Sequence, residues 1–401
     1  MSALHPSSTR APRPVVVILM IVALIVVAAM LTAAACGGGT TPTPSGSTGA
    51  ATPPGAGGWK SVDMGSKIRG VRLDTVSFAD ATHGLAIGWL PQPTAEAAAQ
   101  AVSTSDGGAT WTQTTLGATS QGAAFNAVSS PEAGKVWGVG DLGFIATSTD
   151  NGATWLYQTQ MAEGQDLVSV SFVDARNGWA VGSQLQPTFK PAIYTPVVLH
   201  TSDGGITWKQ QSPQHPGPAG NAHVPAMKLT AVRFTDAQNG WAAGAEAANA
   251  TTDPQGNGRG IVFHTTDGGA IWSAHEMSAG TGPLFAVAAT DASHCWAVGA
   301  GGVVVSTADG GATWSEGTTG QQPASAYLSA VTFTDSLHGW AGGKDLLLGT
   351  SDGGKTWTKR MSGTFDVLAL CCTSDGSAWA SGDTRTAGGP VLPALWHYAA
   401  Q

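Results

Sequence analysis

The heptad Ser351-Asp352-Gly353-Gly354-Lys355-Thr356-Trp357 recurs with small changes at Ser105–Trp111, Thr149–Trp155, Ser202–Trp208, Thr266–Trp272 and Ala308–Trp314. Each copy reads as a tight turn between two strands. A strand ends at Ser or Thr, and the Asp side chain is placed to accept hydrogen bonds from turn amides two residues on. Gly supplies the positive φ of the turn, and Thr-Trp opens the return strand with its indole over an apolar face. One copy would be a hairpin. Six in one chain make a repeat protein.

A second motif alternates with the first. Phe172-Val173-Asp174-Ala175-Arg176-Asn177-Gly178-Trp179-Ala180-Val181-Gly182 shows it in full, and it recurs at Phe78–Gly88, Phe234–Gly244, Thr290–Gly299 and Phe333–Gly343. Degenerate forms stand at Ser130–Gly140 and Thr373–Gly382. A short apolar strand runs into a turn, and a strand of the Trp-Ala-x-Gly kind returns from it. The unit is therefore strand A, turn, strand B, connector, strand C, aspartate turn, strand D. The turn aspartates Asp106, Asp150, Asp203, Asp267, Asp309 and Asp352 are separated by 44, 53, 64, 42 and 43 residues. Four strands at this spacing give the period of a propeller blade, with the longer intervals marking insertions.

The chain ends fit one another. The seventh repeat stops at its strand C, Leu395-Trp396-His397-Tyr398, with no strand D after it. Trp59-Lys60-Ser61-Val62 is an orphan strand D ahead of the first strand A. An all-β, seven-bladed propeller of four-stranded antiparallel blades is expected over residues 59–401, with the N-terminal strand completing the last blade.

Residues 1–35 carry Arg10 and Arg13, no acid, and the apolar run Val15–Ala35, which describes an export signal or membrane anchor. Cys36 directly follows small residues, as in a lipoprotein signal, and is the expected lipidation site. Residues 37–58 are a Gly/Thr/Pro/Ser tether. The expected location is extracytoplasmic, anchored to the cell membrane through a lipid or the N-terminal helix. Without residues 1–35 the formal charge moves from −8 to −10, which argues against nucleic acid as a partner. Cys295, Cys371 and Cys372 take repeat positions that hold Gly or small residues elsewhere, so they read as small buried side chains.

Ser/Thr-x-Asp-x-Gly-x-Thr-Trp is the Asp-box, or bacterial neuraminidase repeat. Together with Gly-Trp-Ala-x-Gly on strand B, it resembles the photosystem II assembly and stability factor family of seven-bladed propellers over about Trp59–Tyr398. The resemblance implies a monomeric, non-catalytic scaffold for a protein partner at the membrane, with reaction-centre subunits as candidates and no cofactor. A carbohydrate-active propeller, sialidase-like hydrolase or lectin, is the alternative. A sialidase needs three convergent arginines and an activated Tyr, and the arginines here form no repeated set.

Most tempting acids dissolve into turns. Six lie in Asp boxes, and Asp80, Asp174, Asp236, Asp291, Asp335 and Asp375 lie in A–B turns. His83, His294 and His338 share a turn position with Asn177 and Asn239. Asp150-Asn151-Gly152 has no Glu at the distance a calcium loop needs. Metal and catalytic sites are therefore not expected. Alternating strand direction puts the A–B and C–D turns on one face and the connectors on the other. The insertions Trp89–Gln100, Gln184–Pro196, Gln210–Lys228 and Glu246–Arg259 fall on the connector face. Their candidate interaction rim comprises Phe189, Lys190, Tyr194, His215, His223 and Arg259. Arg233, grouped with it, is an outlier on strand A, where Ser77, Ser129, Ser171 and Thr332 stand elsewhere, and is expected to point to the central channel or to pair with an acid in a neighbouring blade.

Overall fold

A computed structural model describes residues 58–64, 72–89, 99–116, 125–158, 165–188, 192–213, 226–247, 258–278, 280–320, 327–385 and 391–400, and the backbone of 35–36. The expected signal, tether and rim residues Phe189, Lys190, His215 and His223 lie outside them, as does the Cys36 side chain. The described chain is built of antiparallel strands in six sheets, and no helix in it is long and apolar enough to cross a membrane.

The unit read from sequence is the unit that forms. In the first sheet Arg72–Phe78, Gly84–Trp89, Ala99–Thr104 and Thr112–Thr115 are strands A to D in order. The same order recurs from Gln165 to Gln211, Met227 to Glu276 and Leu284 to Thr318. From Phe125 to Tyr157 it recurs with Ala35–Cys36 paired in parallel to the outside of Phe125–Glu132. The remaining sheet has six strands, because Gly339–Thr350 and Thr358–Cys372 run unbroken through positions where other repeats change strand. Register shifts between Lys344/Leu346 and Leu347/Leu348 bend this long pair.

The orphan strand finds its place. Lys60 and Ser61 pair antiparallel with His397 and Trp396, and the Val62 N–H donates to the Leu395 carbonyl. Trp59 packs edge-on to Trp340 and against Tyr398. The strands Arg72–Phe78, Phe125–Glu132, Gln165–Phe172, Met227–Phe234, Leu284–Ala289, Leu328–Phe333 and Thr358–Cys372 touch in that order, and the last touches the first. The chain therefore closes on itself.

Four of the six junctions between sheets use one aromatic pairing. The strand-B Trp of one sheet stacks on the strand-A Phe of the next: Trp137 on Phe172, Trp179 on Phe234, Trp296 on Phe333 and Trp379 on Phe78. Each strand-A Phe also covers the glycine that opens strand B of its own sheet. A Cβ on Gly84, Gly178 or Gly240 would stand 2.3–2.4 Å from the ring of Phe78, Phe172 or Phe234. In the sheet where Ala289 replaces that Phe, Cys295 takes the glycine's place and is fully buried. Cys295 and Cys372 are free thiols, so no vicinal Cys371–Cys372 bridge forms.

Candidate interaction face

The two faces of the disc differ in chemistry, and the Asp boxes set the first. In the Thr104–Trp111 box the Thr104 hydroxyl donates to Asp106 Oδ1 (2.8 Å) and accepts the Gly108 N–H (2.9 Å). Asp106 Oδ1 also accepts the Thr110 N–H (2.9 Å), and the Thr110 hydroxyl donates to Oδ2 (2.6 Å). The Asp thus receives an amide four residues on, not two, and the working hydroxyl precedes the heptad by one residue. Gly107 and Gly108, at φ 70° and 85°, make the turn possible. Hydrogen bonds from Thr110 hold the Asp106 carboxyl down at about 2. The same set recurs around Asp150, Asp203, Asp309 and Asp352. Around Asp267 it is incomplete, because Ile271 stands where the others have Thr.

The A–B turns dock on these boxes. Asp80, Asp174, Asp236, Asp291 and Asp335 each accept two backbone N–H groups of their own turn, and the His or Asn that follows each Asp by three residues bonds its carboxylate. The Gly107, Gly204, Gly268, Gly310 and Gly353 amides then donate to A–B turn carbonyls. The carboxylates of these motifs are spent on the fold, so this face reads as a structural surface.

The connector face is different. Here strands A begin and strands B end, and the side chains are charged, aromatic and not repeated. In the first and last sheets Arg72 Nε donates to Asp74 Oδ1 at 2.6 Å, and Arg385 donates to Asp366 (2.8 Å) and Asp345 (3.1 Å). Asp74 and Asp383 are 3% and 5% exposed, and burial pushes each carboxyl up to about 6. In the next sheets Asn126 Nδ2 donates to Asp141 at 2.8 Å, and Asp166 accepts the Leu142 N–H. Burial raises Asp141, with Asp166 adding to the effect.

The described rim residues divide. Tyr194 is on the face, half-buried, with Lys228 Nζ 4.1 Å from its ring centre. It does not stand in a free loop: Gln184, Leu185 and Gln186 pair with Thr195, Tyr194 and Ile193, so this insertion extends the B–C hairpin. Arg259 opens its strand C opposite Glu246 and is ion-paired with Glu276. Arg233 is not on the rim. It lies on strand A beside Trp241, near the boxed side, where desolvation lowers its pKa and Cys372 opposes that shift.

The position of Arg233 has a function in the ring. Ser77, Ser129 and Ser171 accept the N–H groups of Ser130, Phe172 and Phe234 in the following sheets, each at 3.0 Å, and Cys371 Sγ accepts that of Phe78 at 3.3 Å. A guanidinium cannot accept, so this girdle is interrupted at Arg233. Sequence reasoning missed Asp74, Asp366 and Asp383. Asp74 had a signal, an acid inside the apolar strand Arg72–Phe78.

A ring of repeated four-stranded sheets, joined by Trp–Phe stacks and closed by its first strand, is a β-propeller. Residues 279–367 match the family model described as photosynthesis system II assembly factor YCF48. The resemblance to those factors holds. A structure of YCF48 bound to a D1 peptide is similar at TM-score 0.58 and 16% identity, covering 86% of this chain and 97% of its own. YCF48 from Cyanidioschyzon merolae gives 0.60 and 18%, covering 85% and 98%. A streptogramin B lyase gives 0.56 and 12%, covering 84% and 96%, so the fold alone does not separate binders from enzymes. No curated protein matches the sequence. Among the described residues no group of three or more His, Cys, Asp or Glu side chains could hold a metal ion.

Proposed function

We propose that this chain is a seven-bladed, non-catalytic scaffold, tethered outside the cytoplasm, that binds a protein partner of the photosystem II kind through its connector face. Seven follows if the six-stranded sheet is two blades, Leu328–Met361 and Phe365–Tyr398, the second completed by Lys60–Ser61. The family match over residues 279–367, with the likeness to YCF48 carrying a D1 peptide, is the observation that supports the reading. The division of labour between faces supports the choice of surface. Boxed turns consume their carboxylates internally, whereas the connector face carries charged and aromatic groups outside the repeat.

The carbohydrate-active alternative needs two carboxyls open to a sugar. Asp74 and Asp383 are the pair that holds protons near neutrality, but both are closed off from solvent. Tethering follows from Arg10, Arg13, the apolar run and Cys36. Cross-linking in native membranes tests the role. Recovery of reaction-centre subunits is expected, and recovery of glycans or wall polymers alone would sink it. Cys36→Ala is expected to release the protein or block its processing. Retention at full precursor length would point to an uncut helix instead.

A further inference from the structure

Each strand A has a register-shift position, which holds Asn126, Thr230 and Ser329 in three repeats, Val168, Phe285 and Leu368 in three others, and Asp74 in the first sheet. Between Phe125–Glu132 and Gln165–Phe172, Asn126 Nδ2 donates to the Leu167 carbonyl at 2.9 Å. Thr230 Oγ1 donates to the Leu284 carbonyl at 2.8 Å, and Ser329 Oγ to the Val367 carbonyl at 2.5 Å. All three donors stand one residue after the strand-A residue that pairs with the last motif glycine, where the register shifts. In the first sheet that position is Asp74, after Leu73 opposite Gly88. A carboxylate has no proton to donate; a carboxylic acid has one.

The other side of the same sheet meets the last one. Along Ala378–Arg385 the side chains alternate, and Trp379 stacks on Phe78, so Ser381, Asp383 and Arg385 share its side. At the Trp379 end of this seam the Phe78 N–H donates to Cys371 Sγ at 3.3 Å. At the connector end, Ser381 Oγ, Asp383 Oδ1 and Arg385 Nε are buried without a hydrogen-bond partner. Asp383 Oδ1 and Arg385 Nε stand 4.0 Å apart, too far for a hydrogen bond.

We propose that the first sheet is held in the ring by two protonatable joints, and that the acid forms of Asp74 and Asp383 tighten ring closure. Asp74 in its acid form is the counterpart of Asn126, Thr230 and Ser329. Asp383 in its acid form removes a buried anion from the seam. The charged and titratable groups around the pair, among the described residues, are Arg72 from the first sheet, with Asp366, Arg385 and Tyr327 from the last, and Lys344 and Asp345 act in turn on Asp366. Both carboxyls sit at about 6 in the folded chain against 3.8 ordinarily, chiefly through burial. Their contribution is thus complete below 3.8 and lost as pH rises through 6.

Full-length protein in a mild detergent, followed by amide hydrogen exchange corrected for intrinsic rates, tests this between pH 5 and pH 7.5. Residues 72–78 should lose protection by about tenfold over that range, the order expected for a carboxyl whose pKa is raised on folding. Asp74→Asn and Asp383→Asn, which imitate the acid forms, should each lessen the loss, and the double variant should hold the pH 5 level at pH 7.5. An Asp74→Asn variant that fails to fold would show that the Arg72 ion pair outweighs the acid form and would overturn the Asp74 joint, leaving Asp383→Asn and the wild-type profile to decide the other. A flat wild-type profile, or Asn variants that keep the wild-type pH dependence, would overturn the proposal.

Discussion

Trp379 stacks on Phe78 with ring centres 4.3 Å apart and 13° between the planes, joining the last sheet to the first. Trp111 closes the cluster edge-on, 6.3 Å from Phe78 and 5.9 Å from Trp379. The same geometry occurs within a continuous run of sheets at Trp179 and Phe234, where the centres are 3.5 Å apart. Ring closure therefore uses the ordinary junction of the repeat. Trp379→Ala should cost about 3–5 kcal/mol, the range for deleting a buried large aromatic. Chemical denaturation checks this, and a loss below about 1 kcal/mol would show that the seam is not part of the cooperative core.

The N-terminal strand is a second closure element. It adds an outer strand to the last sheet and buries the Trp59 ring against Trp340 and Tyr398. Deleting Trp59–Asp63 should lower the melting temperature by several degrees, as expected from a loss of more than about 1 kcal/mol. An unchanged midpoint would mean that the ring closes without it.

The Asp boxes differ in a way that can be measured. Asp309 accepts from Thr307, the Thr313 amide and the Thr313 hydroxyl, whereas Asp267 lacks the last of these. Asp309→Ala should therefore lower the melting temperature more than Asp267→Ala. Ile271→Thr supplies the missing hydroxyl and removes a side chain that is 67% exposed, so it should raise it. A lower midpoint for Ile271→Thr would show that Ile271 has a packing role.

Three histidines give the chain an acid-sensitive component. His200, His264 and His397 stack on Trp179, Trp241 and Trp379, and burial lowers the pKa of each. Nε2 of His200 and of His264 is buried without a partner. Because the folded values lie below the ordinary 6.5, the unfolded chain binds more protons as pH falls beneath it. Their contribution is complete above 6.5 and declines on acidification, opposite in sign to that of Asp74 and Asp383. His264→Phe keeps the stack but removes the proton site. From pH 7.5 to pH 5 the melting temperature of this variant should rise relative to that of wild type; a constant difference would exclude His264.

Much of the architecture was legible because its causes are local. An Asp-box carboxylate meets hydroxyls two residues before and four residues after it, so its geometry is encoded within one short segment. The period of that segment gives the strand order, and the unmatched strands at Trp59 and Tyr398 give the closure. The candidate site was much less legible. Tyr194 was placed in an inserted loop, but the segment pairs with Leu185 and its neighbours because it retains strand geometry beyond the repeat. Arg233 lies on strand A opposite Trp241, and which neighbours surround its guanidinium is not encoded within the repeat.

The sequence by itself determined the repeated unit, its turns, the aromatic positions and the end-to-end strand pairing, since each depends on residues in one repeat or on a pattern counted along the chain. Only the tertiary structure decided which groups face one another between sheets. Asp74 and Asp383 belong to the first and last repeats, and their charges interact only because the ring brings those sheets together. The burial that raises both carboxyls, and the absence of a partner for Asp383 Oδ1, are properties of that junction. No spacing within a repeat could encode them, because burial and electrostatic coupling depend on distances across the closed ring. The Asp and Trp of the Ser351–Trp357 heptad thus report how the ring is built, and the unrepeated charges at its first and last junction report how firmly it is held.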